Sequence, residues 1–205
     1  MRIDLMPAMC KNSLPIYSNL LEADYAQMPP LSWDELRSFA YQTVENWERG
    51  NCLSAADLTA ALNFMKYNIP SADIKYVCNR EIPICYFSHV VPKSADMLQI
   101  LLAVEGIKSC QMPIVQASDG YFDLELDDNH KILIFTIPLY NHLNSFKEFL
   151  KIIQAKKLNI LVGGNVFYLK PSLKLDFSNC IFPNNIKDIL PLINKINSSA
   201  SEEKV

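Results

Sequence analysis

Glycine is scarce in this sequence, and the features that many functional sites need are missing with it. Only five of the 205 residues are glycine, whereas average usage would give about fourteen. The chain therefore has little room for the Gly-rich loops that hold phosphates. No stretch approaches the roughly 18 uncharged apolar residues of a membrane helix, and an acidic residue and a proline interrupt the N-terminal stretch where a secretory signal needs an apolar core. We expect a cytoplasmic protein without a membrane-spanning segment.

The net charge argues against nucleic-acid binding, and the cysteine spacing argues against a metal site. The 19 basic and 22 acidic residues give a net charge of −3, which lacks the basic footprint of a chain that binds phosphates, so DNA binding would need a partner. Six cysteines form no CxxC pair and no zinc spacing, and stand at positions 10, 52, 78, 85, 110 and 180. We expect reduced, mostly buried thiols and no metal site.

Catalytic motifs are also absent from the sequence. It contains no Gly-x-Ser-x-Gly elbow, no HExxH, no P-loop and no carboxylate pair at a strand end. The acidic cluster at residues 123–128 lacks the glycine and glutamate of a calcium loop. We therefore do not expect an enzyme.

Apolar residues make up 50% of the chain, and up to about residue 80 they recur at helical spacing. Two Ser-x-x-acid capping boxes, Ser32 to Glu35 and Ser54 to Asp57, begin two helices. The apolar face of the first is predicted to contain Trp33, Leu36, Phe39, Ala40, Val44 and Trp47, and that of the second Leu58, Leu62 and Met65. Gly50 is a suitable end for the first helix. With shorter helices predicted at 14–26 and 71–79, this part reads as a bundle of about four helices.

After residue 80 the pattern changes to short β-branched runs that alternate with amphipathic helices. The predicted strands are 83–91, 110–115, 132–138, 159–162 and a weak one near 177–181, and the helices are 94–105, 141–156 and 186–196. Apolar and polar residues alternate over 121–126, which predicts either an edge strand or a short irregular segment. Continuous apolar strands alternating with helices predict a parallel sheet covered on both faces. Such sheets bind ligands beyond the carboxyl ends of their strands, which singles out the loops at 88–94, 136–142 and 163–170.

Two groups of residues carry a resemblance to a known family. In the helical part, Trp47 is followed by nine residues and then Asp57; in the second part, the helix-ending Gly106 is followed by Gly163-Gly164 after the fourth strand. This order resembles the cobalamin-binding regulators of the light-sensing carotenoid-repressor type and the corrinoid-carrying modules of methyltransferases. The resemblance implies an α/β fold: a flavodoxin-like parallel five-stranded sheet with an N-terminal helical bundle cap. The implied organisation is an arm at 1–30, the cap at 31–80, the α/β domain at 81–197 and a disordered tail at 198–205.

The cobalt ligands of that family are replaced in this chain. In the family, the cap tryptophan precedes Glu-His, and the histidine lies over the corrin; here those two positions are Asp57 and Leu58. The family's first loop reads Asp-x-His-x-x-Gly, and counting back from Gly106 places Ser94 at the glycine and Val91 at the lower cobalt ligand. Leucine and valine cannot coordinate a metal. We therefore expect that cobalamin does not bind.

Six residues are the candidates for cofactor binding by resemblance, and each has a structural alternative. They are Trp47, Asp57, His89, Thr136, Gly163 and Gly164. The alternatives are, in the same order, a core tryptophan, the acid of a capping box, a hydrogen-bonded core histidine beside a strand, a hydroxyl bonded to neighbouring backbone, and for the Gly pair a tight strand-to-helix turn or close packing. His130 and His142 are expected to face water, and Cys85 to be a buried thiol.

By the resemblance, the chain would be a non-enzymatic regulatory module that acts by binding a partner protein. The stand-alone antirepressors of photosynthetic bacteria are similar: they bind a DNA-binding repressor, and some carry heme in place of cobalamin. The expected partner is a DNA-binding regulator or a signalling protein, and a homodimer stays open. Two alternatives remain: a heme or other tetrapyrrole sensor with His89 or Cys85 as ligand, and a corrinoid-dependent methyl carrier.

Overall fold

The chain divides into two compact units, Met1–Lys75 and Tyr76–Val205. The computed structural model describes residues 30–50, 54–71, 78–115, 122 and 130–202. The boundary between cap and α/β domain was predicted at residue 80. This is a few residues too late in the chain, because the first strand already begins at Cys78. The predicted helix at 14–26 lies outside the described residues, as do the N-terminal arm up to residue 29 and the last three residues of the tail.

Two helices define the described part of the N-terminal unit. Helix α1 spans Trp33–Glu48, and helix α2 spans Ala55–Asn68 and continues into a 3-10 turn, Ile69–Ser71. Both predicted capping boxes are confirmed: the Ser32 and Ser54 hydroxyls accept from the backbone N–H three residues later, and the Glu35 and Asp57 carboxylates accept from the cap backbone N–H. Each box satisfies amide donors that a helix N-terminus leaves without intrahelical partners.

The predicted apolar faces of these helices are confirmed only in their central turns. Leu36, Phe39, Ala40 and Val44 of α1 are buried, as are Leu58, Leu62 and Met65 of α2. Phe39 and Phe64 meet edge to face, with ring centroids 5.9 Å apart. Trp33 and Trp47 are 40% and 39% exposed. The expectation of a core tryptophan at Trp47 is therefore wrong, since the two indoles lie in the first and last turns of α1, beyond the buried stretch.

The second unit contains a parallel α/β sheet of the flavodoxin type. Its strands are β1 Cys78–Tyr86, β2 Ile107–Pro113, β3 Ile132–Thr136 and β4 Asn159–Gly163, in the spatial order β2-β1-β3-β4. Its helices are α3 Lys93–Val104, α4 His142–Ile153, α5 Asn165–Leu169 and α6 Ile189–Glu202, with 3-10 segments at Pro171–Phe177 and Ile186–Asp188. All pairings are parallel, as the apolar strands predicted.

The sheet is buried on both faces, by two different clusters. One face packs Ile84, Ile134 and Leu161 against apolar residues of α3 and α6. The other face packs Cys85, Phe135 and Val162 against α4, α5 and the segment that follows. The alternation of side chains along each strand assigns neighbouring residues to opposite faces. The central strand β3 is therefore buried throughout, whereas the edge strand β2, which includes Lys108 and Gln111, is only half-buried along most of its length.

Several predicted boundaries differ from the structure. The fifth strand is reduced to a single parallel bridge between Leu161 and Ile181, because residues 178–180 form a turn that the hydrogen bond from the Cys180 N–H to the Phe177 carbonyl closes. Strand β1 ends at Tyr86 and not at 91, and the predicted helix at 71–79 overlaps the start of this strand. Helix α6 runs on to Glu202, so the predicted disordered tail at 198–205 is helical up to that residue. Among the described residues, no helix is both long and apolar enough to cross a membrane.

Candidate functional site at the carboxyl edge of the sheet

The topology places one crevice at the carboxyl ends of β1 and β3. The helix that follows β1, α3, packs on one face of the sheet, and the helix that follows β3, α4, packs on the other. The two connections therefore leave the edge in opposite directions, which defines the switch point where open α/β sheets bind ligands. The segments at this edge are residues 87–92, 137–141 and the Gly163-Gly164 pair.

Phenylalanine rings fill the core between the sheet and α4, directly beside this edge. Phe87, the first residue after β1, stacks on Phe135 with ring centroids 5.8 Å apart, and it lies edge to face with Phe146 and Phe149 at 6.3 Å. Phe135 in turn lies 4.9 Å from Phe146. All four side chains are buried. Such aromatic contacts contribute about 0.5–1.5 kcal/mol per pair beyond the burial of area, so the packing here is dense and stable.

Only one residue of the Gly163-Gly164 pair needs to be glycine for structural reasons. The Ile137 N–H donates to the Gly163 carbonyl at 2.8 Å, which ties the loop after β3 to the end of β4. Gly164 has φ +129°, and a Cβ there would lie 2.1 Å from the Ile137 carbonyl oxygen. A Cβ on Gly163 would meet nothing within 4 Å. Close packing therefore accounts for Gly164, and the backbone face of that residue is covered by the chain itself.

Two buried polar atoms near this edge have no hydrogen-bond partner among the described residues: Thr136 Oγ1 and His142 Nδ1. They lie on opposite faces of the sheet, because Thr136 alternates with Phe135, whereas the His142 ring lies 6.3 Å from the Phe87 ring on the phenylalanine side. Burial lowers the pKa of His142. The His142 side chain is half-buried, not fully open to water as expected, and its partial burial favours the neutral imidazole.

The orphan hydroxyl of Thr136 has a measurable consequence for stability. A buried hydroxyl without a partner opposes folding, and valine has nearly the same shape without that polar atom. We expect Thr136→Val to raise the free energy of unfolding by about 1 kcal/mol, measured by urea denaturation of the purified chain. Thr43 is the matched control, because its buried hydroxyl donates to the Phe39 carbonyl at 2.8 Å. Thr43→Val should leave stability unchanged or lower it, and a loss of stability in Thr136→Val would show that its hydroxyl has a partner.

The histidine and cysteine candidates do not converge on one point. His89 is exposed in the loop after β1, where it was expected to lie buried beside the strand. Cys85 is fully buried on the phenylalanine side of the sheet, and this burial strongly raises the pKa of its thiol. Val91 packs against the cluster under α3 and α6, and Ser94 is the second residue of α3. No group of three or more His, Cys, Asp or Glu residues in the described ranges could hold a metal ion.

The two remaining candidates belong to the N-terminal unit. Asp57 is the acid of the α2 capping box, with its carboxylate accepting from the Ser54 N–H at 3.2 Å and from the Ser54 hydroxyl at 2.7 Å. The helix cap is thus a sufficient account of this residue. Trp47 is the half-exposed indole in the last turn of α1.

A feature that the sequence did not single out is the number of large apolar side chains exposed in the segments that follow the carboxyl ends of the strands. They are Val90 after β1, Leu139 and Tyr140 after β3, and Tyr168, Leu169 and Leu175 after β4. Each follows a strand within a loop, a short helix or a 3-10 turn, so no long hydrophobic period marks it in the sequence. The only available signal was the position of these segments at strand ends.

Comparisons with known proteins give a likeness in fold alone. No protein-family model matches the sequence, and no curated protein matches it. Among solved structures, the chain is similar to a novel cobalamin-binding protein from Desulfitobacterium hafniense, with 11% sequence identity and a TM-score of 0.48. The superposition covers 80% of this chain and 81% of that one. Cobalamin binding is stated for that protein; the fold of the present chain rests on its own strand order.

Proposed function

We propose that this chain is a non-enzymatic regulatory module that acts by binding a partner protein and does not bind cobalamin. The observation that carries the proposal is the state of the carboxyl edge: its crevice is packed with the chain's own residues, whereas its rim exposes large apolar side chains. The partner class expected from the resemblance is a DNA-binding regulator or a signalling protein.

The packed crevice is the support for the absence of cobalamin. By the resemblance, Val91 stands at the position of the lower cobalt ligand, and a valine side chain has no atom that can coordinate a metal. In the related family the Gly-Gly backbone lies against the nucleotide tail, but here the Ile137 carbonyl occupies the space beside Gly164. The Phe87 ring fills the region beneath. A ligand would have to displace buried aromatic rings, at a cost of several kcal/mol.

The exposed rim is the support for a protein partner. Single apolar side chains on a surface need no explanation, but a group of them at one edge marks an interaction site. Tyrosine is enriched in protein interfaces, because its ring offers a large rigid contact and its hydroxyl a hydrogen bond. Tyr140 and Tyr168 are both exposed at this rim.

A reconstituted complex is the test of partner binding. We expect the tagged full-length chain to retain one protein from an extract of its source cells, and the purified pair to co-elute as a stoichiometric complex in size-exclusion chromatography. Failure of every captured protein to re-form such a complex from purified components would refute the proposal.

The expected absence of cobalamin binding is tested separately. We expect adenosylcobalamin to separate from the purified chain on a desalting column, because both cobalt ligands are replaced. A retained stoichiometric cobalamin spectrum would contradict this, and it would also revive the methyl-carrier alternative, which depends on the same missing histidine.

Of the two candidate heme ligands, His89 and Cys85, only one fits its surroundings. The Cys85 thiol is buried under phenylalanine rings and its pKa is raised, so a thiolate ligand is disfavoured. His89 is the exposed imidazole that remains. If a heme sensor is correct, hemin added to the full chain should give a Soret shift that His89→Ala abolishes and Cys85→Ala retains.

A further inference from the structure

We propose that the exposed surface of residues 139–152 and 168–175 is the docking site for an acidic segment of the partner protein that carries aliphatic or aromatic side chains. We call this surface the α4–α5 face. The inference rests on the proposed function and deepens it, since it assigns a surface and the chemistry of the segment that binds there.

The α4–α5 face is one continuous surface of the second unit. The Lys147 ammonium lies 3.7 Å from the Asp176 carboxylate, and the Phe146 and Phe177 rings beneath are 5.2 Å apart. These contacts join α4 to the 3-10 segment after α5. At the carboxyl edge, the hydrogen bond from Ile137 to Gly163 joins the loops that lead into α4 and α5.

Three side chains in the second half of the face are far more exposed than apolar residues usually are. Tyr168 is 85% exposed, Leu169 is 70% exposed and Leu175 is 82% exposed. All three lie within eight consecutive residues that also contain Lys170 and Lys174. Burying a side chain of this size contributes about 1.5–3 kcal/mol, so the three together can anchor a bound segment.

The charge of the region is opposite to that of the rest of the chain. Residues 139–152 and 168–175 contain four lysines and one acidic residue, net +3, whereas the remaining residues contain 15 basic and 21 acidic side chains, net −6. Glu148 is engaged with Lys151 at 2.7 Å, and Asp176, next to the face, is engaged with Lys147. Lys170 and Lys174 stand among the exposed apolar side chains. The field of this face therefore attracts an acidic partner.

A short polypeptide segment fits these observations better than an extended polyanion. A bilayer or a nucleic acid presents its negative charge over many Debye lengths, each about 10 Å at 0.1 M salt, whereas Lys170 and Lys174 are only four residues apart. A peptide segment can meet the lysines alone. The exposed tyrosine and leucine side chains further require apolar groups on the partner, which a phosphate backbone does not offer.

The test begins with a random-peptide library displayed on phage and selected on the immobilised full-length chain. We expect the enriched peptides to be net acidic and to contain leucine or aromatic residues. A second selection uses the Lys170→Glu, Lys174→Glu double variant, which we expect to lose this enrichment. Enrichment of neutral or basic peptides, no enrichment, or the same peptides on the double variant would each overturn the proposal.

Paired variants then locate the site by fluorescence anisotropy with the enriched peptide. Lys170→Glu should weaken binding about tenfold. Lys93→Glu is its control, because it makes the same charge change at the N-terminus of α3, where an acid is tolerated. This control should change the affinity less than about twofold. Leu175→Ser should weaken binding at least about fivefold, and Val115→Ser, at an exposed apolar residue after β2 and outside the face, less than about twofold. Equal effects within either pair would overturn the assignment.

Other occupants and the proposed function are separated by further outcomes. Binding to phosphatidylserine vesicles without binding to the peptide, or self-association of the chain that Lys170→Glu abolishes, would overturn the acidic-segment proposal. A stoichiometric partner complex that is unaffected by Lys170→Glu and Leu175→Ser would overturn the surface but leave the proposed function standing. The absence of any reconstituted partner complex would instead refute the proposed function.

Discussion

Gly164→Ala is expected to destabilise the second unit by about 3–5 kcal/mol. The substitution forces a non-glycine residue into φ +129°, and its Cβ would lie 2.1 Å from the Ile137 carbonyl oxygen. That atom belongs to the backbone and cannot rotate away. Relief requires the loops after β3 and β4 to separate, which breaks the Ile137 to Gly163 hydrogen bond and disturbs the end of the sheet. Urea unfolding followed by circular dichroism measures the loss.

Gly163→Ala is the matched control for this prediction. The neighbouring position has open space around a Cβ, and alanine costs less chain entropy than glycine in a strand. Stability should therefore change by less than about 1 kcal/mol. If the two alanine variants unfold at the same urea concentration, the close approach of the two loops is not a feature of the folded chain.

Phe146→Ala is expected to cost about 3–5 kcal/mol. The Phe146 ring is fully buried, and its centroid lies 4.9 Å from that of Phe135 and 5.2 Å from that of Phe177. It therefore connects the sheet, α4 and the segment after α5. Its removal leaves a cavity that the neighbouring rings cannot fill without leaving their own contacts.

Ile152→Ala is the control on the same helix. Ile152 is 56% exposed, so its truncation should cost less than about 1 kcal/mol. Both variants are measured by urea denaturation, and the difference between them reports the cavity. A cost for Phe146→Ala no larger than that for Ile152→Ala would mean that the phenylalanine cluster does not fill the crevice, and it would weaken the argument that a cofactor is excluded there.

The parallel α/β class was predictable because its signal is local and repeated. Each buried strand, such as Ile132–Thr136, reads as a continuous apolar run, and each covering helix, such as α4, has one apolar stripe. A capping box likewise depends on only four consecutive residues, so Ser32 and Ser54 correctly predicted where their helices begin. The reduction of the predicted fifth strand to one bridge at Ile181 was not predictable, since this pairing depends on the neighbouring strand.

The position of the candidate site was predictable from the sequence, but the packing of its residues was not. Strand ends located the edge, and the identity of Val91 already argued against a cobalt ligand. Whether the crevice was open could not be read from the sequence, because the rings that fill it come from residues as far apart as Phe87 and Phe149. His142 was misjudged for the same reason: its burial depends on a ring that lies far from it in the chain.

By itself, the sequence determined the alternation of the main strands and helices in the second unit, the helix caps and the charge of each segment. These properties depend on residue identity and on spacings of a few positions. Only the tertiary structure decided that Gly164 is covered by Ile137, that phenylalanine rings fill the crevice, and that Tyr168, Leu169 and Leu175 remain exposed among lysines. The physical reason is that burial is a property of pairs of residues distant in the chain, and only the packed fold brings those pairs together.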